Sequence, residues 1–154
     1  MRKVTYPFVP KSNKFLLPGQ FWAIPLESGR YACGRVMQVS REDTRGFLAG
    51  LMDWIGDGPP TIDNIEGYKI IDQGDAHIKT IQETGMDGTI LGFRSLELDN
   101  IEPGYFKSAE FFDEHCILMK GYEELRPIIK GEWERFPTFS TWGYLFIKEL
   151  ADHL

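Results

Sequence analysis

Only two cysteines, Cys33 and Cys116, occur among the 154 residues, which argues against a disulfide scaffold and makes a reducing, cytoplasmic compartment the default. Sequence alone leaves open whether the two ever pair. Histidine is as sparse: His77, His115 and His153 stand far apart, and none belongs to a His-x-x-x-His pair of the kind that binds zinc. No apolar run reaches the roughly 18 residues that a membrane helix requires, and the first residues lack the apolar segment of a secretion signal. Secretion and membrane insertion are therefore not expected. Glycine-rich phosphate loops, dinucleotide fingerprints and nucleophile elbows are missing too, which leaves nucleotide binding and hydrolase chemistry without positive support. No cofactor and no metal are expected. Repeats, low-complexity tracts and linkers are also lacking. The chain reads as one domain over 1–154, in which 1–13, punctuated by Pro7 and Pro10, forms a loosely structured lead-in. A domain of this length buries roughly 68 to 70% of its unfolded surface, so it needs no covalent staple.

What is present is a dense run of strand-forming residues. Two such stretches, 21–26 and 30–37, flank Glu27-Ser28-Gly29, whose glycine can adopt the positive φ of a tight hairpin. Period two places Trp22, Ile24 and Leu26 on one face and Phe21, Ala23 and Pro25 on the other, so the first strand is apolar on both sides and must be covered on both. Gly34, lacking a side chain, allows a bulge, a sharp bend or the close approach of another backbone. The apolar run 46–56 has helical length, but its three glycines favour a bent strand. Asp57-Gly58-Pro59-Pro60 ends it, and Thr61 caps a short helical turn through Glu66. Strands are further expected over 68–71, 76–81, 88–93 and 116–122, with 72–75 and 83–87 as turns. Ser140 and Thr141 offer caps for a helix to about residue 152, its apolar stripe formed by Trp142, Leu145, Phe146 and Leu150. The sum is an α+β fold: a curved, mostly antiparallel sheet of about six strands, resembling a partly open small barrel, with one or two short helical turns and a C-terminal helix packed on it.

Charge is distributed unevenly. Residues 1–38 carry six cations and one anion, whereas 97–134 carry four cations and ten anions. An acidic face suits a basic partner. Glu110, Asp113, Glu114, Glu123, Glu124, Glu132 and Glu134 interleave with Phe111, Phe112, Tyr122 and Trp133, so carboxylates that steer a partner stand beside aromatics that anchor it. A nuclease domain, which must attract phosphates, is such a partner. The plain alternative is a solvated acidic rim over core aromatics. A second candidate surface is the hairpin, where Trp22, Arg30, Tyr31 and Arg35 supply the stacking groups and cations of a small-barrel module for nucleic acid or peptide. Overall acidity, a net charge of −6, opposes binding to a phosphate backbone. Catalytic signals are weak. His115 and Cys116 are adjacent, so on a strand they point apart; Asp53 beside Trp54 reads more simply as a surface acid next to a core ring.

The segment Pro18-Gly19-Gln20-Phe21-Trp22-Ala23-Ile24-Pro25-Leu26, followed by Gly29-Arg30-Tyr31 and Gly34-Arg35-Val36, resembles the opening hairpin of the immunity protein 26 family of bacterial polymorphic toxin systems. Weaker similarities follow at Gly121-Tyr122-Glu123, Leu125-Arg126-Pro127 and Ser140-Thr141-Trp142-Gly143-Tyr144. The resemblance implies a non-catalytic cytoplasmic protein that binds a cognate toxin domain and blocks it. Its hairpin motif looks structural and carries no interface residues with it.

Overall fold

The computed structural model describes residues 4–154, and among them eight strands build two antiparallel sheets. The larger sheet contains β1 (Gln20–Pro25), β2 (Tyr31–Val39), β3 (Gly46–Gly56), β4 (Ile70–His77) and β5 (Gly92–Phe93), ordered β4-β3-β2-β1-β5. A smaller sheet follows: β6 (Tyr105–Lys107), β7 (Ile117–Lys120) and β8 (Glu123–Pro127), in chain order. Two helices complete the fold, α1 (Lys79–Thr84) and α2 (Phe146–Asp152), with short 3-10 turns between elements. Neither sheet closes into a barrel.

The two-sided apolar pattern of the first hairpin explains why the larger sheet is covered twice. Trp22, Ile24, Ala32, Val36, Phe47 and Leu51 share one face with Ile81 of α1 and with Ile147 and Ala151 of α2. On the other face Phe21, Cys33, Met37, Leu48 and Met52 pack under Ile65, Leu96 and Ile101, which arrive from loops. Each of these larger side chains contributes roughly 1.5 to 3 kcal/mol by leaving water. Trp22 lies across Gly34, its cross-strand partner, where an added Cβ would stand 2.3 Å from the indole. What Gly34 admits is thus a side-chain indole and not the expected backbone, while the irregularity expected there is present as a shift of the β2–β3 register between Ala32 and Gly34. The run 46–56 is the long strand β3.

Polar groups inside the fold are tied to one another. The Arg35 guanidinium is fully buried and donates to the carbonyls of Gly19 (3.2 Å) and Arg94 (2.5 Å). Burial pushes its pKa down. Arg94 grips Asp99 through two bonds of 2.8 and 3.0 Å, and Asp99 also accepts from the Gly67 amide. The buried Gln20 amide bonds to Tyr6, Phe15 and Leu17, joining the N-terminal segment to β1. Phe8 exchanges two backbone bonds with Ile90. Asn13 reaches across the turn between β2 and β3, its Nδ2 donating to the carbonyls of Ser40, Asp43 and Gly46. Residues 1–3 of the expected lead-in lie outside the described residues.

Several local expectations are corrected. The stretch 72–75 is no turn but the middle of β4, because Trp142 lies flat over Gly74 and the chain at Ser140 and Trp142 bonds to both sides of Asp75. Residues 76–81 are only in part a strand. The chain leaves β4 at His77 and coils into α1, which puts Ile78 and Ile81 on one buried side. The C-terminal helix starts at Phe146, not near Ser140, since Ser140 to Trp142 is spent on β4; its buried residues are Ile147 and Ala151, while Leu145 and Phe146 are exposed. At 61–66 the chain forms turns, stabilised by Thr61 and Asn64 bonding each other's backbone amides.

Candidate functional site

A groove of about 600 Å³ opens where the two sheets meet. The turn after β2 supplies one wall through Arg41 and Glu42, and the small sheet supplies the other through Met119, Tyr122, Glu123 and Glu124. Three contacts fix the walls relative to each other. The Gln38 side chain accepts the Tyr122 amide at 2.8 Å, the Gln73 side chain accepts the Gly104 amide at 2.9 Å, and the Tyr122 hydroxyl donates to Asp75. Burial and the neighbouring Asp75 carboxylate push the Tyr122 phenol well above its usual range, so it stays a neutral donor.

Glu42, Glu123 and Glu124 are exposed, and their side chains form no ion pair or hydrogen bond among the described residues. They face a single groove cation, Arg41. Taking three carboxylates out of water would be costly unless an incoming cation met them. The arrangement therefore suits recognition of positive charge.

The other acids of the expected surface divide into two further groups. Glu110, Asp113 and Glu114 sit on the exposed loop between β6 and β7, around Phe111, which is 82% exposed. That loop is held by its own bonds: the Asp113 side chain accepts the His115 amide at 2.6 Å, and the Cys116 sulfur donates to the Phe111 carbonyl and accepts the Asp113 amide. Glu134 is exposed in the turn over the outer face of the small sheet. Glu132, half-buried beside it, is engaged by Arg126 through both oxygens and by the Ile129 amide, which lowers its pKa to about 2. Trp133 packs on Cys116, Leu118 and Ile128 beneath the Lys107 ammonium, 3.4 Å from the ring centre.

Within the hairpin surface, Trp22 and Arg35 are 0% exposed and belong to opposite sides of the core, so neither can stack on or pair with a ligand. Arg30 is exposed and bonded to Asp57 at 3.0 Å, and Tyr31 is half-buried against the cluster that holds Phe21, Cys33 and Met37. A stacking platform needs open rings, and this hairpin has spent its indole on the core. Asp53 is exposed and does not line the groove. His115 is exposed where Cys116 is buried, so the pair does not converge. Both cysteines are free thiols, and burial pushes Cys33 up to about 12. Among the described residues no group of His, Cys, Asp and Glu is placed to hold a metal ion, and no helix is long and apolar enough to cross a membrane.

Sequence reasoning missed Gln38, Arg41 and Glu42. Its only signal was the polar break at 40–43, which does not reveal which distant strand that turn will face.

The model of the family described as Immunity protein 26 matches residues 17–114, more than half of the chain. No curated protein and no solved structure gives a match.

Proposed function

The chain belongs to the Immunity protein 26 family, and from that premise we infer that it binds a cognate toxin domain of a polymorphic toxin system and neutralises it by stoichiometric occlusion, with no bond-making of its own. The family match carries this reading. Support comes from the surface of the small sheet and its loops, where Glu110, Glu114, Glu123, Glu124 and Glu134 stand in solvent and Phe111 projects nearly free. Exposed carboxylates accelerate the approach of a basic domain, and a projecting ring supplies a point of purchase once it arrives. A nuclease, cationic because it must hold phosphates, fits both properties. The compartment consistent with this role is the cytoplasm.

Co-expression with the toxin domain encoded by the neighbouring open reading frame tests the reading. Rescue of growth and a one-to-one complex on size exclusion are expected, with association that slows as salt is added. Failure of both rescue and complex formation would refute it.

A further inference from the structure

We propose that the groove between the turn after β2 and the edge of β8 is the seat for a lysine- or arginine-bearing loop of the toxin domain. The proposal rests on the immunity reading and deepens it by locating the contact. Three observations select this place over the rest of the acidic surface. It is concave, and about 600 Å³ lies in the range of sites that enclose a ligand segment. Its carboxylates, Glu42, Glu123 and Glu124, have no side-chain partner among the described residues; Glu110 and Glu134 have none either, but it is in the groove that three such carboxylates line one concavity, and Glu132 is already neutralised by Arg126. Its walls come from two sheets locked together through Gln38 and Tyr122, so a bound loop meets a preformed surface.

The neighbouring backbone edge of β8 argues against strand addition as the mode of contact. All five residues of β8 are exposed, but Pro127 has no amide to donate, Arg126 occupies the Pro127 carbonyl, and the register slips opposite Leu118 and Met119. These are the devices by which an edge refuses another strand. A partner is therefore met by the glutamate side chains that line the groove.

The test compares two double variants that reverse equal charge at opposite ends of the small sheet. Glu123→Lys/Glu124→Lys alters the groove; Glu110→Lys/Glu134→Lys alters the far end and leaves the groove intact. Binding to the neighbouring toxin domain is followed by surface plasmon resonance, after thermal melts establish that each variant is folded. The groove variant is expected to bind about 100-fold or more weakly, chiefly through faster dissociation, and the far-end variant about threefold more weakly, chiefly through slower association. Glu42→Lys, on the opposite wall and a different element, is expected to lose about tenfold. Equal losses in the two double variants, or a larger loss at the far end, would overturn the groove assignment while leaving the immunity reading standing. Absence of binding by the unaltered protein would remove the immunity reading itself. A free protein that dimerises, with the groove variant abolishing the dimer, would assign the groove to a second copy and likewise overturn the proposal.

Discussion

Replacing Gly34 by alanine probes the packing on which the larger sheet depends. The Cβ added at Gly34 would meet Trp22 Cζ2 at 2.3 Å and Cε2 at 2.4 Å, far inside the contact distance of about 3.5 Å between carbons. Trp22 does not border solvent into which it could swing: it is fully buried and packs edge-on against Phe47 at 5.8 Å between ring centres. Overpacking of this kind costs about 1 to 3 kcal/mol. The stiffer unfolded chain of the alanine variant returns about 0.4 to 1 kcal/mol. At the middle of both ranges the net loss is about 1.3 kcal/mol, which lowers Tm by about 3 to 5 °C in a chain of this size. Denaturant titration of Gly34→Ala, Trp22→Leu and the double variant separates the clash from everything else. Trp22→Leu alone is expected to cost about 3 kcal/mol, and the double variant should be less destabilised than the sum by at least about 1 kcal/mol, because the methyl then enters space the indole has left. Additive losses, or a Gly34→Ala variant as stable as the parent, would refute the reasoning.

Removing the Tyr122 hydroxyl by Tyr122→Phe is expected to cost about 1.5 to 3 kcal/mol, the range for a bond to a carboxylate, and to speed hydrogen exchange in β7 and β8; unchanged exchange there would mean the two sheets are held by other contacts. The same variant should remove a late step, above the usual range near pH 10, from the absorbance titration of tyrosine. Glu132 has its folded pKa lowered to about 2, first by its hydrogen bond from Arg126, so its stabilising contribution is complete above the unfolded value of about 4.3 and is lost as pH falls toward 2. Glu132→Gln should therefore flatten the acid limb of the stability curve between those values, and an unaltered limb would count against the pair. Cys33 is expected to resist thiol reagents until the protein unfolds, as its burial and raised pKa require; rapid labelling of Cys33 in the native protein would show the core to be open.

What the sequence made legible followed burial. The alternation through Phe21, Trp22, Ala23 and Ile24 announces a strand covered on both faces, and the glycines of 46–56 argue for the strand that forms there. Elements whose reasons lie elsewhere in the chain were illegible. Nothing local at Asp72 to Asp75 shows that Trp142, almost seventy residues later, will lie over Gly74 and hold those polar residues in a strand. Ala76 to Ile81 satisfies the strand period and, through Ile78, Ile81 and Thr84, the helical one; tertiary packing decided. β8 is exposed at every residue, so it carries no hydrophobic period at all. The acidic surface was visible as composition, but its concave part was not, because the groove joins a turn at 40–43 to a strand about eighty positions away.

Asn13 gives the groove a property beyond shape. One side-chain amide, spread over three carbonyls of the 40–46 turn, settles the rim that carries Arg41 and Glu42 before any encounter. The entropy of quieting that turn is charged to folding and not to association. If the groove seats the toxin loop as proposed, loosening the clamp with Asn13→Ala is expected to weaken binding through a residue outside the groove lining, which makes the wall answerable to one amide upstream.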